Sequence, residues 1–275
     1  MSVQKKIACV NDISGIGKCS LTVALPIISA LKSQCCPITT AVLSSQTGYP
    51  KYTFRDLSDD LDDYIDVLDK LEKKFDIIYS GFLGSKNQIS KVKKLIKNNS
   101  SFVVVDPVLG DNGRRFSIFD DDFLVEMKSL VSSADLITPN ITEANILLDR
   151  KIDFFDYNRD ELKKICIDLS NMGPNLVIIT GFVKDNKIQN ISYDKISDKM
   201  DIISVDYNSV SFSGTGDIFT SIITGLIARN YSLKDSVKIA TKFISDAVEF
   251  TTKQNFYDRN DGILFEFFLD KLINL

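Results

Sequence analysis

The sequence predicts an α/β fold with a mostly parallel central sheet covered by helices on both faces. Two observations carry it. Short β-branched or apolar runs at residues 76–80, 102–106, 135–138 and 176–180 are separated by helical patterns such as Ile89, Val92, Leu95, Ile96 and Phe123, Leu124, Met127, Leu130, Val131. Strands and helices that alternate in this way build parallel sheets. Each run also ends in polar or small residues: Asn11-Asp12, Ser80-Gly81, Asp106-Pro107, Thr138-Pro139-Asn140 and Thr180-Gly181. Ligands of such sheets sit outside the carboxyl ends of the strands, so a site is expected there.

In chain order, residues 6–10 read as a buried strand, and residues 20–31 carry apolar side chains at helical spacing. A second apolar run, 37–43, passes into a polar loop at 44–52. Leu57, Leu61, Tyr64, Ile65, Leu68, Leu71 and Phe75 then recur at helical intervals and predict one amphipathic helix with an acidic outer face. Beyond the alternating middle, residues 184–205 are patterned as antiparallel strands. Ser211-Phe-Ser-Gly-Thr-Gly-Asp217 is a glycine turn feeding a helix, and helical patterns at 232–252 and 263–272 close the chain. No repeat, linker or low-complexity segment intervenes, so residues 1–275 are expected to form one domain.

With 275 residues, 44% hydrophobic and 25% charged, the chain has the make-up of a soluble globular protein that buries a full core. Its 33 Lys+Arg against 37 Asp+Glu give no positive field for a phosphate backbone, so nucleic acid is not an expected partner. Five cysteines without C-x-x-C spacing argue against a disulfide framework or zinc knuckle and for a reducing cytoplasm. The N-terminus lacks a signal-peptide apolar core, and no run of about 18 apolar residues exists to span a membrane. The absence of histidine removes Ser-His-Asp and Cys-His catalysis and HExxH zinc chemistry at once. An enzyme with this composition is expected to use a carboxylate base, since lysine, tyrosine or a thiolate needs a larger pKa shift.

Gly15-Ile-Gly17-Lys18-Cys19-Ser20 is neither a P-loop, which needs glycine where Asp12 stands, nor a dinucleotide fingerprint, which needs glycine where Ser20 stands. It still puts Asp12, Ser14 and free backbone N–H groups at a strand's carboxyl end. Gly214-Thr215-Gly216-Asp217 is the stronger signal. Glycines at a helix entrance leave N–H groups open to an anion such as a phosphate, and an Asp in the first turn can accept the proton of an attacking hydroxyl. Asp217 equally suits the helix dipole alone. Thr138-Pro-Asn140-Ile-Thr-Glu143 places Asn140 and Glu143 three apart at a helix start, where the pair reads as a capping box or as a holder of Mg²⁺, with Asp106 as second carboxylate. Residues 106–116, with two glycines and two arginines, read as an active-site flap. The aspartates at 59–63 and 120–122 read as solvated helix faces.

Together, Asp106-Pro-Val-Leu-Gly-Asp111, Thr138-Pro-Asn-Ile-Thr-Glu143 and Ser213-Gly-Thr-Gly-Asp217-Ile-Phe-Thr-Ser resemble the signature set of the ribokinase-like superfamily, in order and spacing along nearly the whole chain. Asn11-Asp12-Ile-Ser-Gly, Thr40-Ala-Val-Leu-Ser-Ser-Gln-Thr47-Gly-Tyr49 and Ser80-Gly-Phe-Leu-Gly84 are similar to its pyridoxal/pyridoxamine kinase branch. The resemblance implies a three-layer α/β/α sandwich, ATP and Mg²⁺, and phosphorylation of the 5'-hydroxymethyl group of a B6 vitamer in pyridoxal phosphate salvage. It implies Asp217 as base, with Gly214, Thr215 and Gly216 as anion hole, and Asp106 and Glu143 managing Mg²⁺ and the phosphates. Asn140, Thr180 and Ser213 would lie along the nucleotide, and Asp12, Ser14, Thr47 and Tyr49 on the vitamer side. A cytoplasmic homodimer is expected on the same ground, and activation by a monovalent cation stays open.

Three departures bear on substrate. Ser14-Gly-Ile-Gly-Lys-Cys-Ser20 stands where the hydroxymethylpyrimidine branch carries a Gly-Gly-Ala-Gly-Ile-Gln-type segment, which disfavours the thiamin precursor. No cysteine lies between Asp106 and Cys166, so covalent capture of an aldehyde by the flap is not expected, and Thr180 stands where some pyridoxal kinases have lysine. A hydroxymethylpyrimidine or other small-alcohol kinase is the alternative within the superfamily. A non-catalytic vitamer- or nucleotide-binding protein is the alternative outside it.

Overall fold

The structure is a computed structural model that describes residues 4–151, 156–254 and 258–275. In chain order it holds β1 (Lys6–Ser14), α1 (Ser20–Ala30), β2 (Gln34–Leu43), β3 (Phe54–Asp56), α2 (Leu61–Lys70), β4 (Ile77–Ser80), α3 (Lys86–Lys97) and β5 (Phe102–Val105). A small hairpin, β6 (Gly110–Asp111) and β7 (Arg114–Arg115), precedes α4 (Asp121–Val131), β8 (Leu136–Ile137), α5 (Ile141–Leu147) and α6 (Arg159–Ser170). The chain continues through β9 (Leu176–Lys184), β10 (Lys187–Asp194), β11 (Lys199–Asp206), α7 (Thr215–Ala228), α8 (Leu233–Thr252) and α9 (Leu269–Ile273).

Nine strands form one sheet in the order β11-β10-β9-β8-β5-β4-β1-β2-β3. The six from β9 to β2 run parallel, and β10, β11 and β3 are antiparallel additions at the edges. Successive side chains of a strand point to opposite faces, and both faces of this sheet are apolar. Ala8 and Val10 of β1 enter one core with α2 to α6, whereas Ile7 and Cys9 enter a second core with α1, α7 and α8. The result is the expected three-layer α/β/α sandwich. Among the described residues no helix is long and apolar enough to cross a membrane.

From β1 the chain crosses to β2 on one side, then returns to place β4 on the other. The topological switch therefore lies between β1 and β4, and a crevice opens outside their carboxyl ends. Asn11 and Gly81 line up there. A Cβ on Gly81 would sit 2.2 Å from Asn11 Nδ2, while Asn11 Oδ1 accepts the N–H groups of Phe82 (2.9 Å) and Asp12 (3.0 Å).

Three elements differ from expectation. β1 runs four residues past Val10, with a register irregularity between Asn11 and Ile13 that re-aims its end. The helix expected over 57–75 is confined to Leu61–Lys70. Asp56 Oδ1 accepts both the N–H (2.8 Å) and the hydroxyl (2.6 Å) of Ser58, fixing a turn after β3, and Glu72 at φ 51° ends the helix. The last helical pattern becomes a 3₁₀ turn at Phe265–Phe268 followed by α9, because the Phe267 and Phe268 rings pack on Phe243 and Phe250 of α8.

Helix α7 is buried nearly all round, and its N-terminus faces the carboxyl ends of the strands. Ile222, a fully enclosed α7 side chain in the second core, should cost about 2–5 kcal/mol on truncation to alanine, read as a lowered midpoint in denaturant unfolding.

Candidate active site

The N-terminus of α7 meets the loop between β1 and α1 through backbone contact. Gly214 caps the helix at φ 77°, and a Cβ there would lie 1.7 Å from the carbonyl oxygen of Lys18. Only glycine satisfies both the conformation and the space. Lys18 is pinned in turn, its Nζ donating to Ile263 O (3.2 Å) and Glu266 Oε2 (2.8 Å). Gly216 is different. A Cβ there would meet nothing within 4 Å, so the protein leaves open the space beside this exposed first-turn amide. Free N–H groups at the positive end of a 14-residue helix, with room in front of them, suit a phosphate.

Asp217 follows in the first turn, half-buried. Burial pushes its carboxyl up to about 6, the Ser20 N–H pulls it down, and the Asp12 charge pushes it up again. Ser20 serves two carboxylates because it sits at φ 53° at the start of α1. Its N–H faces Asp217 while its hydroxyl donates to Asp12 Oδ1 at 2.5 Å. A serine held in the left-handed region at the start of α1, between two carboxylates, is strain placed at a candidate functional position.

In front of this turn lies a cleft of about 950 Å³. It is lined by Asp106, Asn140, Glu143, Thr180, Ser213, Gly214, Thr215, Gly216 and Asp217, so the structure brings together every residue expected on the phosphate and nucleotide side. Asp106 is buried, its Oδ2 accepting from Thr220 Oγ1 (3.3 Å), and burial with the Asp217 charge raises its carboxyl to about 8. Glu143 is buried as well. Its Oε1 accepts the Leu109 N–H (3.1 Å) and its Oε2 the Asn140 N–H (2.8 Å), while Asn140 Oδ1 accepts the Glu143 N–H (3.0 Å), which closes a capping box. Burial is the main cause that raises the Glu143 carboxyl, and the Asp106 charge adds to it. Asn140 Nδ2 donates to Gly110 O (2.9 Å), tying the β6–β7 hairpin to α5; the expected flap is thus a short, anchored hairpin.

These acids suit a divalent cation carried in with phosphates. Among the described residues no lysine or arginine charge offsets the raised proton affinity of Asp106 or Glu143. No group of three or more Asp, Glu, Cys or His forms a cage among them either. Mg²⁺ bound largely by phosphate and water needs only one or two protein carboxylates. Asp106 would meet the ion side, and Glu143, with both oxygens engaged by N–H groups, would reach it through water.

The four residues expected on the acceptor side do not line this cleft. Asp12 is buried with Oδ1 bound to Ser20 and Oδ2 accepting the Ser14 hydroxyl at 3.1 Å, so its oxygens already have partners. Thr47 is exposed, and the Tyr49 hydroxyl donates to Asp261. Sequence reasoning missed Ser20, Gln46, Arg259 and Asn260, which join the loops around the α7 turn. Gln46 lies in the Thr40–Tyr49 segment that carries the resemblance, but its meeting with Asn260 across 214 positions leaves no local sign.

Residues 25–260 match the phosphomethylpyrimidine kinase family. A Bacteroides thetaiotaomicron protein assigned as a phosphomethylpyrimidine kinase, in a crystal form with pyridoxal, is 42% identical; the match covers 98% of this chain and 96% of that one at a TM-score of 0.94. Pyridoxal kinase of Lactobacillus plantarum is 27% identical over 99% of this chain and 98% of its own, with a TM-score of 0.91. Human pyridoxal kinase is 29% identical over 72% of this chain and 68% of its own length.

Raised carboxyls carry a stability signature. A carboxyl whose folded pKa lies above its unfolded value favours the fold below the unfolded pKa, near 4, and loses that contribution as pH rises through the folded value. For Asp106 that window runs from about 4 to about 8. Asp106→Asn should therefore stabilise the ligand-free protein at pH 8 by about 1–2 kcal/mol, a rise of several degrees in Tm, with a much smaller gain at pH 5. Thermal unfolding of both proteins at the two pH values checks this.

Proposed function

The chain belongs to the phosphomethylpyrimidine kinase family, and from that premise we propose that it transfers the γ-phosphoryl group of ATP to the 5'-hydroxymethyl group of a B6 vitamer. The observation that carries the reading is the glycine turn at α7 with Asp217 in its first turn, facing a cleft that also holds Asp106. The acceptor oxygen attacks the γ-phosphorus, its proton passes to Asp217, and the bond from the γ-phosphorus to the β–γ bridging oxygen breaks to release ADP. Backbone N–H groups of Gly214, Thr215 and Gly216 take the charge that gathers on the phosphoryl oxygens. Mg²⁺, when bound, supplies charge neutralisation between the phosphates and Asp106. Asn140, Thr180 and Ser213 border the nucleotide, and the 44–52 loop closes the acceptor side, with Asp12 and Ser14 setting the electrostatics behind Asp217.

The pyridoxal in the crystal form of the Bacteroides protein supports a pyridine acceptor. The family's own description favours a second reading, a hydroxymethylpyrimidine or phosphomethylpyrimidine acceptor on the same machinery.

ATP consumption with Mg²⁺, measured separately with pyridoxal, pyridoxine, pyridoxamine and hydroxymethylpyrimidine, separates the two. Turnover on a pyridine is expected. Turnover on the pyrimidine alone would move the protein to thiamin synthesis, and ligand binding without turnover on any of the four would make it a binding protein. Asp217→Asn should lower kcat by at least about 10²-fold while ATP binding persists; wild-type rates in that variant would remove Asp217 as the base.

A further inference from the structure

The acceptor-side loop and the phosphate-side turn are joined by one buried side chain, that of Gln46. Its Nε2 lies 3.4 Å from Ser213 Oγ, 3.2 Å from Asn260 O and 3.4 Å from Asn260 Oδ1. Its Oε1 accepts the Gly48 N–H at 2.7 Å, its own N–H donates to Ile16 O at 2.9 Å, and its carbonyl accepts from Tyr49 N–H at 3.2 Å. Three segments distant in sequence, around residues 16, 213 and 260, thus meet on this one residue. The space is fitted to it: a Cβ on Gly17 would lie 2.5 Å from Gln46 Cγ, and one on Gly48 2.8 Å from Nε2. Ser213 is the residue directly before the Gly214 cap, and its N–H donates to Arg259 O at 3.0 Å, so the turn that leads into α7 is held from the Gln46 side.

We propose that Gln46 is a positioning residue that fixes the acceptor loop against the α7 turn, and so sets the approach of the acceptor hydroxyl to the bound phosphate. A phosphoryl transfer needs that approach within a few tenths of an ångström, and a misplacement near 1 Å costs about 10²-fold in rate. Most of the nucleotide side of the cleft is built from other elements, the ends of β5, β8 and β9 with α5, and Ser213 is the nucleotide-side residue that Gln46 touches. Loss of Gln46 therefore acts more strongly on the acceptor step than on the ATP step. The carboxamide nitrogen is the essential atom. A carboxylate in its place keeps the bond from Gly48 but turns an oxygen toward Asn260 O and Oδ1, two acceptors that then lose their donor.

The kinetic arm of the test rests on the kinase reading above; the structural arm does not. In the full-length protein, Gln46→Ala and Gln46→Glu should each lower kcat/KM for the acceptor about 10²-fold, with KM for ATP within about twofold of wild type. Amide hydrogen exchange in peptides covering residues 211–217 should rise in both variants, while peptides from β4 and β5 keep wild-type protection. Unchanged kcat/KM for the acceptor, or equal losses at the ATP and acceptor steps, would overturn the proposal. If the wild-type protein phosphorylates none of the four acceptors, the kinase reading has failed. The exchange result then decides the role of Gln46 alone, and unchanged protection at 211–217 would overturn it.

Discussion

The close approach of the Gly214 backbone to the Lys18 carbonyl is the constraint on which the rest of the site depends. A helix N-terminus carries unpaired N–H groups and positive potential, but it becomes a catalytic feature only when it is brought to the ends of the strands that hold the acids. Here that approach is set by a residue without a Cβ, at a φ only glycine accepts readily, against a loop clamped by Lys18 to the last segment of the chain. The polar contacts made by the first turns of α7 follow from that seating. Asp217 comes within electrostatic reach of Asp12 and Asp106, and Thr220 one turn on reaches Asp106 and, at 3.0 Å, Thr138.

The seating has a cost. Asp106 and Glu143 are buried, Asp217 is half-buried, and all three are pushed toward their neutral forms without a lysine or arginine charge to relieve them among the described residues. Such an arrangement destabilises the ligand-free fold near neutrality and is relieved when positive charge arrives with the nucleotide. The same low-polarity setting raises the proton affinity of Asp217 toward the range useful to a general base. On the proposed reading, function and stability pull in opposite directions at the same three carboxylates.

Much of this was legible in the sequence because its carriers are local. The alternation of apolar runs and helical patterns revealed the parallel sheet, and the Gly-Thr-Gly-Asp turn, the Asp-Pro pair after β5 and the Asn-x-x-Glu helix start each lie within a few residues. The two readings of Glu143 turned out not to exclude one another, since the carboxylate that closes the capping box also sits beside Asp106. What stayed hidden depends on contacts made across the fold. Asp12 gives no sequence sign that its oxygens are taken by Ser14 and Ser20, and Gln46 sits in a polar loop with no periodicity to mark it. The shortened helix α2 was missed because Leu57 fits the helical spacing, although the Asp56–Ser58 turn claims its neighbours first.

Whether Asp217 at the α7 turn is the base is read from the pH dependence of kcat/KM for the acceptor at saturating Mg-ATP. Measured from pH 5 to pH 8, the wild-type protein should show one ascending limb near pH 6, as the carboxyl loses its proton, and then a plateau. The residual rate of Asp217→Asn should lack that limb. A limb that persists unchanged in the variant belongs to the substrate or to another group, and Asp217 is then not the base.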